Sequence, residues 1–421
     1  MTTRTAAVPS PAAAGSAPTA EGTPRRGLVL GGGGMLGAAW TIGALCAVEE
    51  ATGRQPGGAD VLLGTSAGAI LAALLAGGVH AEQLRDHQRG LPITDGPLAG
   101  VAFDYDTAVG GAMPPRPRVG IGSPDLLLDA VRHPRTYPLL TMVSAMAPHG
   151  RGSLAPVGEL VRGLLGPGGW PAAQAGEGGS DGGLTGGLAG GVNGGPDGDH
   201  RAGRDADRGR GGAAPDCSAL RVAAVDYRSG HRVVFGDPDA PAVAVADAVM
   251  ASCAIPGWFA PVRLNGSAYV DGGCWSATNA DLMLGRGLDE VYVLAPMALR
   301  LLPPTAQADD PPTPADGPPT APADGDGRTG RGTLAALREW RARDFPRGVL
   351  AQLVSRYRRA VTHQLLREAA QLRAEGVRVR LLAPTLADLA VMGPNMMDPS
   401  RRGAVLESAL RTSREALRTA R

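Results

Sequence analysis

The stretch Val61-Leu62-Leu63-Gly64-Thr65-Ser66-Ala67-Gly68-Ala69-Ile70-Leu71-Ala72 constrains the fold more than any other part of the chain. A short apolar run leads into G-x-S-x-G, and an Ala/Leu-rich helical pattern follows at once. The segment therefore reads as buried strand, sharp turn and helix, with Ser66 on the turn as in a nucleophile elbow. The glycines have a steric reason, because Cβ atoms at positions 64 and 68 would crowd so tight a turn. The helix that begins after Ser66 points free N–H groups and its positive dipole end at the same place. In a chain with 63 glycines the bare pattern also arises by chance, so its weight comes from lying between strand and helix.

Further strands alternate with helices around it. Residues 27–30, 60–63, 268–270, 290–294 and 377–382 read as strands, and 37–51, 67–76 and 244–253 as helices. Residues 220–226 and 232–235 flank Arg228-Ser229-Gly230, which signals a hairpin. Ser123-Pro124-Asp125 supplies an N-cap and an N1 proline for a helix over 125–132. Such alternation predicts an α/β fold with a largely parallel sheet.

Much of the Gly and Pro excess lies in three stretches without apolar periodicity, residues 1–25, about 166–216 and 303–333. They read as a disordered tail, a disordered insertion and a Pro/Asp-rich linker. What remains is a domain over 26–302, interrupted by the insertion, and a helical region over 334–421 with one strand that completes the domain. The net charge of +1 argues against a nucleic-acid binder. Cys46, Cys217, Cys253 and Cys274 have neither C-x-x-C spacing nor a secreted framework, which points to reduced thiols. With no apolar leader and no run of about 18 apolar residues, the expected location is cytoplasmic.

Gly31-Gly32-Gly33-Gly34-Met35-Leu36-Gly37 is the second motif, and Gly32, Gly34 and Gly37 give G-x-G-x-x-G between a strand and a helix. A pyrophosphate loop for a dinucleotide and an oxyanion hole compete for it, beside a plain tight turn. The dinucleotide reading wants an acidic residue closing a second strand. Glu49 and Glu50 have the spacing, but they end a helical pattern instead. The third motif is Asp271-Gly272-Gly273 at a strand end, where a turn starter and a base for Ser66 compete. A Ser–His–Asp triad of the α/β-hydrolase type needs a histidine after the acid. His363 alone follows Asp271, and it lies in an Arg-rich amphipathic helix that suits a solvated residue. A Ser–Asp dyad fits better.

The three motifs in this order resemble the patatin-like phospholipase family. Ala251-Ser252-Cys253-Ala254-Ile255-Pro256-Gly257-Trp258-Phe259-Ala260-Pro261 resembles the family segment that precedes the acid, and Asn279 also fits. The resemblance covers about residues 26–303. It implies a three-layer α/β/α sandwich and acyl-ester hydrolysis without metal or cofactor. Ser66 would be the nucleophile and Asp271 the base. Backbone N–H groups of Gly32, Gly33 and Gly34 would hold the oxyanion, with Gly37, Gly64, Gly68, Gly272 and Gly273 supporting the motifs. The implied partner is a lipid or acyl ester, with peripheral contact at the inner membrane surface. The sequence offers the helix within 334–373 for that contact, since Leu350, Leu353, Val354, Tyr357, Val361 and Leu365 share a face near Arg356, Arg358, Arg359 and Arg367. Packing of that stripe on the sheet is the commoner use of such a face.

One departure stands out. Leu36 occupies the position where the family loop usually has a basic residue, so a charge beside the oxyanion loop is expected to be missing and neutral esters become as suitable as phospholipids. Two other classes remain open at this level. One is a dinucleotide-binding oxidoreductase built on Gly32–Gly37. The other is a non-catalytic lipid-binding protein, a former hydrolase, against which the intact Ser66 and Asp271 argue.

Overall fold

The computed structural model describes residues 23–104, 115–133, 135–168, 170, 217–300 and 349–418. Nearly all of the N-terminal tail, most of the insertion and the whole linker lie outside these residues.

The first unit is strand β1 (Arg26–Leu30), helix α1 (Gly34–Thr52), strand β2 (Val61–Thr65) and helix α2 (Ala67–Ala76). Helices α3 (Ala81–Gln88), α4 (Pro124–Arg132), α5 (Leu139–Met146) and α6 (Ala155–Leu165) follow. Then come β3 (Leu220–Asp226), β4 (Arg232–Phe235), α7 (Val245–Ser252), β5 (Val262–Leu264), β6 (Ser267–Asp271) and β7 (Glu290–Leu294). The C-terminal part contributes α8 (Val349–Ala374), β8 (Arg378–Leu382), α9 (Leu386–Met392) and α10 (Arg402–Arg418).

Most elements stand within a residue or two of the sequence reading. Helix α1 begins three residues earlier, because the last glycines of the loop already turn into it. Ser123 caps α4 as expected, its Oγ accepting from the Leu126 N–H at 3.3 Å. Strand β5 was not anticipated. It joins β6 through Asn265-Gly266, whose φ values of 49° and 84° make a two-residue turn that the Asn-Gly pair favours.

The eight strands form one sheet in the order β5-β6-β3-β2-β1-β7-β8, with β4 also on β3. The pairs β3–β2, β2–β1, β1–β7 and β7–β8 are parallel. Alternation along the strands produces the layers. Leu28, Leu30 and Leu62 face a core shared with α1, α2, α7 and α10, while Val29, Leu63, Val291 and Val293 face a core closed by α8. The result is the expected α/β/α sandwich, and the C-terminal helices are part of it. Gly43 of α1 lies against α10, where a Cβ would stand 2.8 Å from Ala409 Cβ.

The register around β3 determines where the site lies. Val222 and Ala223 pair with both β2 and β4, so these two strands occupy opposite edges. Ala224 and Val225 pair with both β4 and β6, so β6 continues along the edge that β2 leaves. The C-terminal ends of β2 and β6 therefore meet head-on. Thr65 lies opposite Ala223, and Asp271 lies opposite the next residue, Ala224.

Candidate active site

Ser66 adopts φ 54° and ψ −126°, a left-handed conformation that costs a non-glycine residue about 1–3 kcal/mol. Its neighbours allow it. A Cβ on Gly64 would stand 2.4 Å from Ala69 Cα, and one on Gly68 would stand 2.0 Å from the Leu30 carbonyl oxygen. The Ser66 N–H donates to Ser252 Oγ at 2.9 Å, and that hydroxyl donates to the Ala223 carbonyl at 2.6 Å. Ser252 thus ties the elbow to β3, which gives its segment a purpose that the sequence alone did not reveal.

Asp271 ends β6 beside this elbow and is 4% exposed. Its Oδ1 accepts the Gly273 N–H at 2.7 Å, and the Ser66 hydroxyl is its side-chain partner. Burial pushes the carboxyl up to about 6, against the lowering effect of those two hydrogen bonds. Gly272 is required for close approach, since a Cβ there would lie 2.4 Å from the Ala223 carbonyl oxygen. Buried Asn279, at φ 53°, donates to Thr65 Oγ1 at 3.1 Å and to the Gly272 and Ser276 carbonyls, joining the end of β2 to the turn after Asp271. No histidine is among the groups that set the Asp271 carboxyl. His363 is exposed on α8, as expected of a solvated helix residue.

The glycine loop lies over the elbow, with Gly32 so close that a Cβ would stand 3.1 Å from Ser66 Cβ. Its N–H groups divide into two sets. Gly31 donates to Leu294 O at 2.9 Å and Gly32 to Ala277 O at 2.8 Å, so the Gly32 N–H is committed to the fold. Gly33 and Gly34 donate to no described residue, and neither does Ala67 at the first position of α2. Gly34 needs its φ of 61°, while Gly33 sits against Pro296, whose Cγ would lie 2.9 Å from a Cβ there. Gly37 gives its N–H to Gly33 O at 2.9 Å. Glu49 and Glu50 stand at the opposite end of α1 from the loop, and Glu50 is paired with Arg414.

Leu36 does not border the site. It is fully buried in the core, and its N–H donates to Met396 O at 2.9 Å. A different cation stands behind the loop. Arg358 of α8, 4% exposed, donates to Pro296 O at 3.0 Å and reaches Met396 Sδ at 3.1 Å. It thereby grips the two segments that Gly33, Leu36 and Gly37 pack on. Burial lowers its guanidinium to about 10.

Ser66 and Ala67 line an apolar cavity. Its walls run along α1 through Ala38 and Ile42 and along α2 through Ile70 and Leu74, with Leu98, Phe103 and Leu160 opposite. From Tyr357 onward the stripe of α8 is not a free apolar surface, because Val361, Leu365, Ala369 and Leu372 are buried in the second core and Tyr357 packs against it. Leu350 and Leu353 carry no described side chains. Most of the exposed large apolar groups lie elsewhere, at Leu128 and Val131 of α4, at Leu139, Val143 and Met146 of α5, and at Val119 and Ile121 just before α4. The inner side of α5 packs on the turn after Asp271, where Thr141 Oγ1 donates to Cys274 O at 2.7 Å. Among the described residues no helix is long and apolar enough to cross a membrane.

The chain matches the family model for patatin-like phospholipases over residues 28–96 and 123–284. No curated protein matches it.

Proposed function

The chain belongs to the patatin-like phospholipase family, and from that premise we propose a serine acyl hydrolase that cleaves lipid acyl esters through a Ser66–Asp271 dyad. The observation that carries the reading is the strained Ser66, its hydroxyl on a buried carboxylate and its side chain at the mouth of an apolar cavity. The acyl chain lies in the cavity and its ester carbonyl stands over Ser66. Asp271 takes the hydroxyl proton as Ser66 Oγ attacks. The carbonyl oxygen becomes an alkoxide held by the unpaired N–H groups of Gly33, Gly34 and Ala67. Collapse of this intermediate breaks the ester bond, and the leaving alcohol takes the proton from Asp271. Water, deprotonated by Asp271, then releases the acid and restores Ser66. A base near 6 is mostly ionised at neutral pH and still basic enough to take the proton.

A dinucleotide-binding oxidoreductase has less support. The loop faces a serine rather than open space, and Glu49 and Glu50 are too far along α1 to hold a ribose. The test is turnover of p-nitrophenyl acyl esters and of phospholipids by the wild type and by Ser66→Ala. Loss of both in a folded variant supports the reading, and undiminished turnover contradicts it.

For a lipid substrate we further propose that the exposed faces of α4 and α5 rest on an anionic membrane. The apolar residues there are flanked by exposed Arg116, Arg118, Arg132 and Arg135. Val131→Ser combined with Leu139→Ser and Val143→Ser should weaken sedimentation with phosphatidylglycerol vesicles and leave p-nitrophenyl butyrate turnover unchanged. Unaltered sedimentation would remove the surface from the account.

A further inference from the structure

The cavity at Ser66 is apolar along its walls, with one polar group that the fold does not satisfy. Gln88, the last residue of α3, lines the cavity and is 5% exposed. Its Oε1 is buried without a hydrogen-bond partner, and the side-chain amide makes no hydrogen bond to any described residue. A carbonyl oxygen buried this way has lost its water without gaining a partner, and a leucine of similar size would avoid that cost. His87 beside it is already engaged, its ring Nε2 on the Val101 carbonyl at 3.1 Å. A trapped water would need two to four polar partners, and Leu84, Leu98 and Phe103, which line the same cavity, offer no polar side-chain atom.

The position of Gln88 along the cavity follows from its neighbours. Ile42 and Leu74 line the same cavity eight residues along α1 and α2 from Gly34 and Ser66, a distance of ~12 Å at the rise of an α-helix. Arg89 pairs with Glu407 at 2.7 Å, and Gly43 abuts Leu406 and Ala409 on the same helix. The end of α3 is therefore beside the middle of α1, remote from the reacting carbon.

We propose that Gln88 is a specificity determinant, and that the preferred acyl group is a medium-length chain with a hydroxyl in its distal half. A hydroxyl is the smallest group that both donates to Oε1 and accepts from Nε2, so it satisfies the amide whichever way it is turned. An oxo group has no proton for Oε1, the buried atom that lacks a partner, and a plain chain leaves it unpaired too. This assignment rests on the acyl-hydrolase reading for the identity of the ligand, and its test is independent of turnover.

The experiment is calorimetric binding of decanoic acid and of decanoic acids hydroxylated at successive carbons, using Ser66→Ala so that no chemistry intervenes. One distal isomer should bind about tenfold tighter than decanoic acid, the effect of one hydrogen bond of ~1.4 kcal/mol. In Ser66→Ala/Gln88→Leu that advantage should vanish while decanoic acid binds at least as well. Equal binding of all isomers, a preference confined to carbons two and three, or a preference that survives Gln88→Leu would each overturn the proposal. So would a failure of every acid to bind. Ester turnover by the wild type judges the hydrolase reading separately.

Discussion

The end of β6 and the middle of α8 each bury a carboxylate, and the two are bonded differently. Asp271 accepts one backbone N–H and has the Ser66 hydroxyl as its side-chain partner. Glu368 is 1% exposed and accepts the Thr278 hydroxyl at 2.7 Å, the Ala280 N–H at 2.9 Å and the Gln364 amide at 3.0 Å. Burial pushes both carboxyls up. What separates them is what their partners can do. Gln364 is on α8 itself, and the other two partners of Glu368, Thr278 and Ala280, are fixed parts of the 276–280 loop, which also carries Asn279 and the Ala277 carbonyl that anchors Gly32. Glu368 braces the site from behind. The partner of Asp271 is a hydroxyl that can give up its proton. In this comparison burial supplies basicity to both, and only the sparsely bonded carboxylate is free to use it.

That contrast is open to direct attack. Asp271→Asn should lower kcat on p-nitrophenyl esters by about 10²–10⁴-fold, the usual worth of a positioned base. A loss under tenfold would make Asp271 as structural as Glu368. Glu368→Ala should do the reverse. It leaves the Thr278 hydroxyl and the Ala280 N–H without their acceptor, at ~1–3 kcal/mol each, so the midpoint of urea unfolding should fall clearly. The folded fraction should keep kcat within a few-fold. A dead but fully stable Glu368→Ala would break the comparison from the other side.

Stability against pH sharpens it. The Asp271 carboxyl stands at about 6 in the folded chain against a reference of 3.8. A raised carboxyl favours folding while it is protonated, and that advantage is lost as pH rises from the unfolded value through the folded one. Asp271→Asn should therefore gain on the wild type in unfolding free energy between about pH 4 and 7, by at most about 3 kcal/mol, and level off above. A flat difference would mean that Asp271 is not strained by its burial. The wild-type rate should have the smallest signature, a tenfold fall per pH unit below about 6 and a plateau above. Leu36→Arg should leave the substrate preference unchanged. Its side chain is in the core, so the expected outcome is lost stability with an unchanged ratio of phospholipid to neutral-ester turnover.

The legible parts of the site were those whose chemistry is local. Gly64 and Gly68 declare the elbow because their own turn excludes a Cβ, and Asp271 ends a short strand just before two glycines. The parts that were not legible depend on pairing across the sheet. The Gly32 N–H is withdrawn by Ala277, which lies 245 positions along the chain, so the loop sequence alone cannot say which of its glycines keep a free donor. Ser252 and Glu368 acquire their roles only once β3 and α8 are in place. Arg358 sits in a run of arginines that reads as a solvated face, yet one turn of that helix points inward behind the glycine loop. Strand β5 was overlooked because three residues are too few for a period. The linker and most of the insertion, read as disordered, lie outside the described residues.

The central claim, that Ser66 is a nucleophile activated by Asp271, is tested most directly by intact-mass and peptide-mass spectrometry after reaction with a fluorophosphonate. The account predicts a single phosphonyl adduct on the peptide that contains Ser66, formed far more slowly in Asp271→Asn and at the wild-type rate in His363→Ala. An adduct on any other residue, or labelling of Ser66 that proceeds equally fast in Asp271→Asn, would contradict it.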